Sequence, residues 1–160
     1  MLNICRKENG SQFCAELIFI ATLLLFVTTP IYTQSTPQPS DSAFSNRAAS
    51  TLLRRLSESL QGHSEKKFLA LFDLQRMKDG PLFKQQIDSF FAQTESITVH
   101  LNLAETSPEG AMAVDAEMEI QPLNGGPASR RNERLAFSVA RAGQGWKFVD
   151  LQPRSFFSLP

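Results

Sequence analysis

The chain has 160 residues, enough for one domain with a sizeable core, since chains of this size bury roughly two-thirds of their surface on folding. Its 42% apolar and 20% charged residues belong to an ordinary globular protein, and 13 Phe against one Tyr and one Trp supply much of the prospective core. Sixteen basic residues balance sixteen acidic ones. Setting aside residues 1–34, with two of each, leaves 14 against 14, so the positive excess needed to bind a phosphate backbone is missing and nucleic acid is not an expected partner.

Arg6 and Lys7 precede an eleven-residue apolar run, Leu17–Val27, which Thr28-Thr29-Pro30 follows. That length suits the hydrophobic region of a secretory signal and falls short of the roughly 20 residues that span a bilayer. Extending the run back to Phe13 brings in Glu16, and no small-x-small cleavage site follows it. Residues 1–32 therefore read as a signal peptide or an N-terminal membrane anchor. The protein is expected to be exported, periplasmic or extracellular, or anchored to the membrane, which it would meet only through this segment. Cys5 and Cys14 lie at or before the start of the run, and Cys14 is on the wrong side of it for a lipoprotein anchor. Beyond Val27 there is no cysteine, which excludes disulfides, thiolate metal sites and a cysteine nucleophile from the remainder.

Residues 33–47, rich in Ser, Thr, Gln and Pro, bury too little apolar area to offset ordering and read as a disordered linker ahead of a domain over 48–160. Three helical patterns follow. Ala49, Leu52, Leu53, Leu56 and Leu60 recur at three- and four-residue spacing until Gly62. A second pattern starts after Ser64, a candidate N-cap, buries Phe68, Leu71 and Phe72, and is expected to run close to Gly80-Pro81. The third, residues 81–93, carries Pro at its first position and a stripe of Phe83, Ile87, Phe90 and Phe91.

After Ser96 the period changes to two. Ile97, Val99, Leu101 and Leu103 alternate with polar residues, and after a turn at Ser107-Pro108-Glu109-Gly110 so do Met112, Val114, Ala116, Met118 and Ile120. A loop from Pro122 to about Arg131 leads to a third strand defined by Leu135, Phe137 and Val139, and a Gly-rich turn enters a fourth over 146–151. The expected fold class is α+β, three N-terminal helices covering the dry face of a four-stranded antiparallel sheet.

The helix–strand order over residues 48–153, closing on Gly143-Gln144-Gly145-Trp146-Lys147-Phe148, resembles the nuclear transport factor 2-like superfamily, a cystatin-like α+β cone. The resemblance implies a curved sheet wrapped around the helices with a pocket at its wide end. Such a pocket would be lined here by Phe72, Phe83, Phe91, Met112, Val114, Phe137 and Trp146. A short hairpin usual between the second and third helices has only a few residues near Lys78–Pro81 to form it. Polyketide cyclases and ketosteroid isomerases of this superfamily place an acid or base inside the cone. None of the expected dry positions is ionisable, and Asp73 and Asp150 are the nearest carboxylates.

Other chemistry is thin. His63 falls between two helices and His100 on the polar strand face, neither in a cleft with an orienting partner, and two distant histidines make a poor metal site. Asp115, Glu117 and Glu119 share a strand face, which could hold Ca²⁺ or a basic partner but better suits solvated cross-strand pairing with Arg130, Arg131 or Arg134. Phe156 and Phe157 are expected to plug the cone or cover an edge, or, if exposed, to form an interaction patch. No cofactor and no metal are expected. The first expectation is a non-catalytic module that binds an unknown protein partner or a small apolar ligand; single-anchor bacterial cell-envelope proteins with such domains serve as assembly subunits of secretion machines. The alternative is a cyclase- or isomerase-type enzyme using Asp73 or Asp150 as base. A third reading is a homodimer through the polar sheet face, with a modest, wet interface.

Overall fold

Ser45 opens the first helix: its hydroxyl accepts the amide of Ala48 at 3.3 Å, satisfying one of the donors that a helix start leaves unpaired. α1 spans Asn46–Gln61 and turns Ala49, Leu52, Leu53, Leu56 and Leu60 inward. The computed structural model describes residues 43–158; the expected signal or anchor, and the linker as far as residue 42, lie outside the described residues. Phe44, next to the helix start, is buried, its ring edge-on to Trp146 with centroids 5.1 Å apart.

α2, Glu65–Leu69, stops after five residues instead of continuing toward Gly80, and Ser64 makes no side-chain cap bond. The cause lies on the sheet. The carbonyl of Leu71 accepts the amide of Phe148 at 2.9 Å, and the amide of Asp73 donates to the Phe148 carbonyl at 2.8 Å, making a parallel bridge between Phe72 and Phe148. An edge strand presents unpaired donors and acceptors, and residues 71–73 satisfy them in place of helical bonds. α3, Gly80–Gln93, has Pro81 in its first turn and buries Phe83, Ile87, Phe90 and Phe91.

The strands β1 (Thr94–Thr106), β2 (Ala111–Pro122), β3 (Ser129–Ala142) and β4 (Gly145–Gln152) form an antiparallel sheet in the order β1-β2-β3-β4. Val99 faces Met118, Leu103 faces Val114, and Met112 faces Phe137. All the expected dry residues of the first three strands are buried except Leu101 and Leu103, which are half-buried against the core. The opposite side carries exposed polar rows such as Thr98–Glu119–Arg130 and Asn102–Asp115–Arg134. Along the β1 edge, Gln61 of α1 donates to the Val99 carbonyl at 2.9 Å. Phe156 and Phe157, in a 3-10 helix at Arg154–Phe157, are both buried, so they plug the core and present no patch.

Candidate functional site

The positions expected to line a pocket are occupied by one another. Phe72 lies 4.9 Å from Phe83 and 5.0 Å from both Phe68 and Phe148, while Phe137 lies 4.8 Å from Phe148 and Phe91 5.7 Å from Phe68. These separations are those of rings in contact. Met112 and Val114 are buried in the same cluster. Trp146 is the exception: half-buried, it lies at the surface beneath the guanidinium of Arg141, 5.6 Å from its ring centre.

Neither candidate base is inside. Asp73 sits where residues 71–73 leave the sheet edge, 3.4 Å from Nε of Arg76. Asp150 faces Ser138 on the exposed side, 41% exposed, and pairs with Arg154 at 3.3 Å. His63, held at a positive φ of 47°, places Nε2 2.8 Å from the Thr94 carbonyl oxygen and its ring edge-on to Phe91. His100 is exposed opposite Glu117. Of the acidic row, Glu117 and Glu119 share Arg130 at 3.4 and 3.1 Å, whereas Arg134 pairs with Glu105. Exposed pairs of this type are worth roughly 0–1 kcal/mol. Among the described residues no group of three His, Cys, Asp or Glu stands close enough to hold a metal ion.

One feature was hidden in the sequence. β3 begins at Ser129, and its alternation places Ser129, Arg131 and Glu133 on the helix-facing side, in line with Leu135 and Phe137. Arg131 donates to the carbonyls of Ser155 and Phe156 at 3.1 and 2.9 Å. A carboxylate oxygen of Glu133 and the hydroxyl of Ser129 are buried without a partner among the described residues. Counting back from Leu135 in steps of two reaches all three; the Asn124-Gly125-Gly126-Pro127 turn and the charges at 130 and 131 place Ser129 and Arg131 in the expected loop, whereas the strand already begins at Ser129.

This arrangement, a four-stranded antiparallel meander with its helices on one face, decides the comparison with known structures. The domain has the nuclear transport factor 2-like fold. It is similar to a proposed aromatic ring hydroxylase from Novosphingobium aromaticivorans, with TM-score 0.57 and 21% identity over 66% of this chain and 84% of that one. A nuclear transport factor 2-like superfamily protein from Salmonella enterica serovar Typhimurium superposes with TM-score 0.55 at 14% identity, over 66% and 86%. Hexachlorocyclohexane dehydrochlorinase LinA-type3 from Novosphingobium barchaimii does so with TM-score 0.50 at 12%, over 66% and 82%. No family model matches the chain, and no curated protein matches it in sequence. The fold accommodates ligand binding and enzymes alike.

In this nuclear transport factor 2-like domain, one opening of about 650 Å³ lies between the end of α3 and the β2–β3 loop, lined by Ala92, Gln93, Leu123 and Ser129 among others. Leu123, 62% exposed, stands at its rim.

Proposed function

We propose that the domain is a non-catalytic binding module, exported or held at a membrane by its N-terminal segment, that engages a protein partner. The observation that carries this is the ring-to-ring packing of Phe68, Phe72, Phe83, Phe137 and Phe148, which fills the place where an enzyme of this fold would hold substrate. The surface position of Asp73 and Asp150, each beside an arginine, supports the same reading.

A second reading, a cyclase- or isomerase-type enzyme, draws on Glu133, whose carboxylate faces the helices with a buried, unpartnered oxygen. Titrating the full-length protein with a small apolar fluorophore separates the two. The module takes up none in a saturable one-to-one manner under native conditions. Saturable uptake that Glu133→Gln alters would replace this reading with the enzyme. Fractionation with N-terminal sequencing tests the location: an intact Met1 in the membrane fraction marks an anchor, a start beyond Val27 marks a cleaved signal, and an intact chain in the cytosol counts against both.

A further inference from the structure

The two edges of the sheet are finished differently. Residues 71–73 close the β4 edge through the bridge between Phe72 and Phe148. Along β1 the carbonyl of Val99 points outward and accepts Gln61. Outward and ladder groups alternate along an antiparallel strand, so the amides and carbonyls of Leu101 and Leu103 point outward too. Among the described residues no other hydrogen bond reaches them. A groove of about 510 Å³ separates this stretch from α1, lined by Leu53, Arg54 and Glu58 of the helix and by residues 99–103. Lys, Pro or a bulge usually blunts such an edge. Residues 96–103, Ser-Ile-Thr-Val-His-Leu-Asn-Leu, hold no Lys, Arg, Asp, Glu, Gly or Pro, and both irregularities of β1 fall outside them. Leu101 and Leu103 are also the dry-face residues of β1 that stay half-buried.

We infer that this edge pairs with the β1 edge of a second copy of the chain, antiparallel, about a two-fold axis at Leu101. In that register Leu101 faces its own copy, Val99 faces Leu103 and His100 faces Asn102. Outward groups then meet outward groups throughout, and no charged side chain of residues 96–103 meets its like. The Val99 carbonyl has two lone pairs, so it can keep Gln61 and accept the partner amide as well. The helix points to the same axis. α1 runs along β1, with Gln61 against Val99 and Asn46 bonded to Thr106. Interpolating between these contacts by the rise of helix and strand puts the midpoint of Arg54 and Glu58 level with Leu101. A two-fold axis there sets the exposed Arg54 of each copy opposite the exposed Glu58 of the other. That charge match belongs to a second copy and to no arbitrary strand. Because the β4 edge is already closed, the assembly stops at two copies with one continuous sheet.

The full-length protein, dispersed in a mild detergent, is followed by sedimentation velocity and amide exchange across a concentration series. The expected result is a monomer–dimer equilibrium in which the amides of Leu101 and Leu103 gain protection as the dimer fills. His100→Lys/Asn102→Lys is the sharpest variant. Within one chain its lysines face Glu117 and Asp115. Across the pair they face each other, so the dimer should weaken about tenfold or more while the fold holds. Arg54→Glu should weaken it about threefold or more, and Arg54→Glu/Glu58→Arg should restore it. Thermal melts check that the variants fold, and Asn102→Lys alone serves if the double variant does not. A protein that stays monomeric, or a dimer indifferent to the lysines, would overturn the pairing. Protection of the Leu101 and Leu103 amides at every concentration would assign the edge to the chain's own N-terminal segment and overturn the second copy. This contact between copies is separate from the proposed partner, and the fluorophore test does not read it, so failure here is distinct from failure of the module reading.

Discussion

Phe72 and Phe148, far apart in the chain, form a parallel bridge with their ring centres 5.0 Å apart, and this bridge ties the segment after α2 to the edge of the sheet. Phe148 is fully buried and also contacts Phe137 at 4.8 Å. Phe148→Ala is expected to cost about 3–5 kcal/mol in unfolding free energy, as large-to-small aromatic changes in a core do. Combined with Phe72→Ala in a double-mutant cycle, it should show a coupling of about 0.5–1.5 kcal/mol. Urea titration of the four proteins measures both, and strictly additive losses would show that the bridge does not couple them.

That bridge also explains which parts of the fold were readable in advance. Alternation from Ile97 to Leu103 and from Met112 to Ile120 is local and names its dry face directly, as the burial of Val99 and Met118 shows. The end of α2 is decided by Phe148 in β4, a partner that no window around Leu69 contains. Glu133 and Arg131 break the apolar pattern of their own strand face, so hydrophobic periodicity could not see them. Arg55 of α1 and Trp146 of β4 come from two ends of the domain, and only folding brings them to one concavity.

Arg131 holds the C-terminal 3-10 helix through two main-chain carbonyls. Arg131→Met keeps most of the apolar stem and removes both donors, so it should cost about 1.5–3 kcal/mol, the range for hydrogen bonds to charged groups. Arg131→Lys should restore only part, because an ammonium lacks the fork. Faster chymotryptic cleavage at Phe156 and Phe157 is the accompanying sign. Unchanged stability and cleavage in Arg131→Met would mean that this helix docks through its two rings alone.

The cluster of Glu65, Lys84 and Asp88 should make stability depend on pH in a defined way. The hydrogen bond from Lys84 to Asp88, 2.6 Å long, holds the Asp88 carboxyl below its ordinary 3.8 and the Lys84 ammonium above its ordinary 10.5. The Asp88 contribution is therefore present above pH 3.8 and fades as pH falls through its lowered folded value; that of Lys84 fades as pH rises through its raised one. Glu65 behaves oppositely to Asp88. The neighbouring Asp88 carboxylate, followed by burial, raises its carboxyl above 4.5, so its ionisation opposes folding near neutral pH and stops doing so on acidification. Glu65→Gln should raise stability at pH 7 by on the order of a few tenths of a kcal/mol, within the range of exposed pairs, and the gain should vanish below pH 4.5. Thermal melts across a pH series decide it: a shift that is equal at every pH would remove Asp88 as the cause.

Gly110 closes the β1–β2 turn at a φ of 95° and at the same time leans on β3, its carbonyl accepting the amide of Val139 at 2.7 Å. A Cβ there would stand 2.5 Å from the Val139 carbonyl oxygen, a backbone atom that cannot swing away. Gly125 has a comparable φ of 72°, but a Cβ on it would meet nothing within 4 Å. The pair separates two costs that are usually confounded. Gly125→Ala should lose only the backbone term, roughly 1–2 kcal/mol for an L-residue in left-handed conformation. Gly110→Ala should lose that and more, since the β1–β2 turn must shift away from β3 and weaken the bond to Val139. Unfolding free energies of the two variants in urea test the difference. Equal losses would mean that the contact between this turn and Val139 yields at no cost.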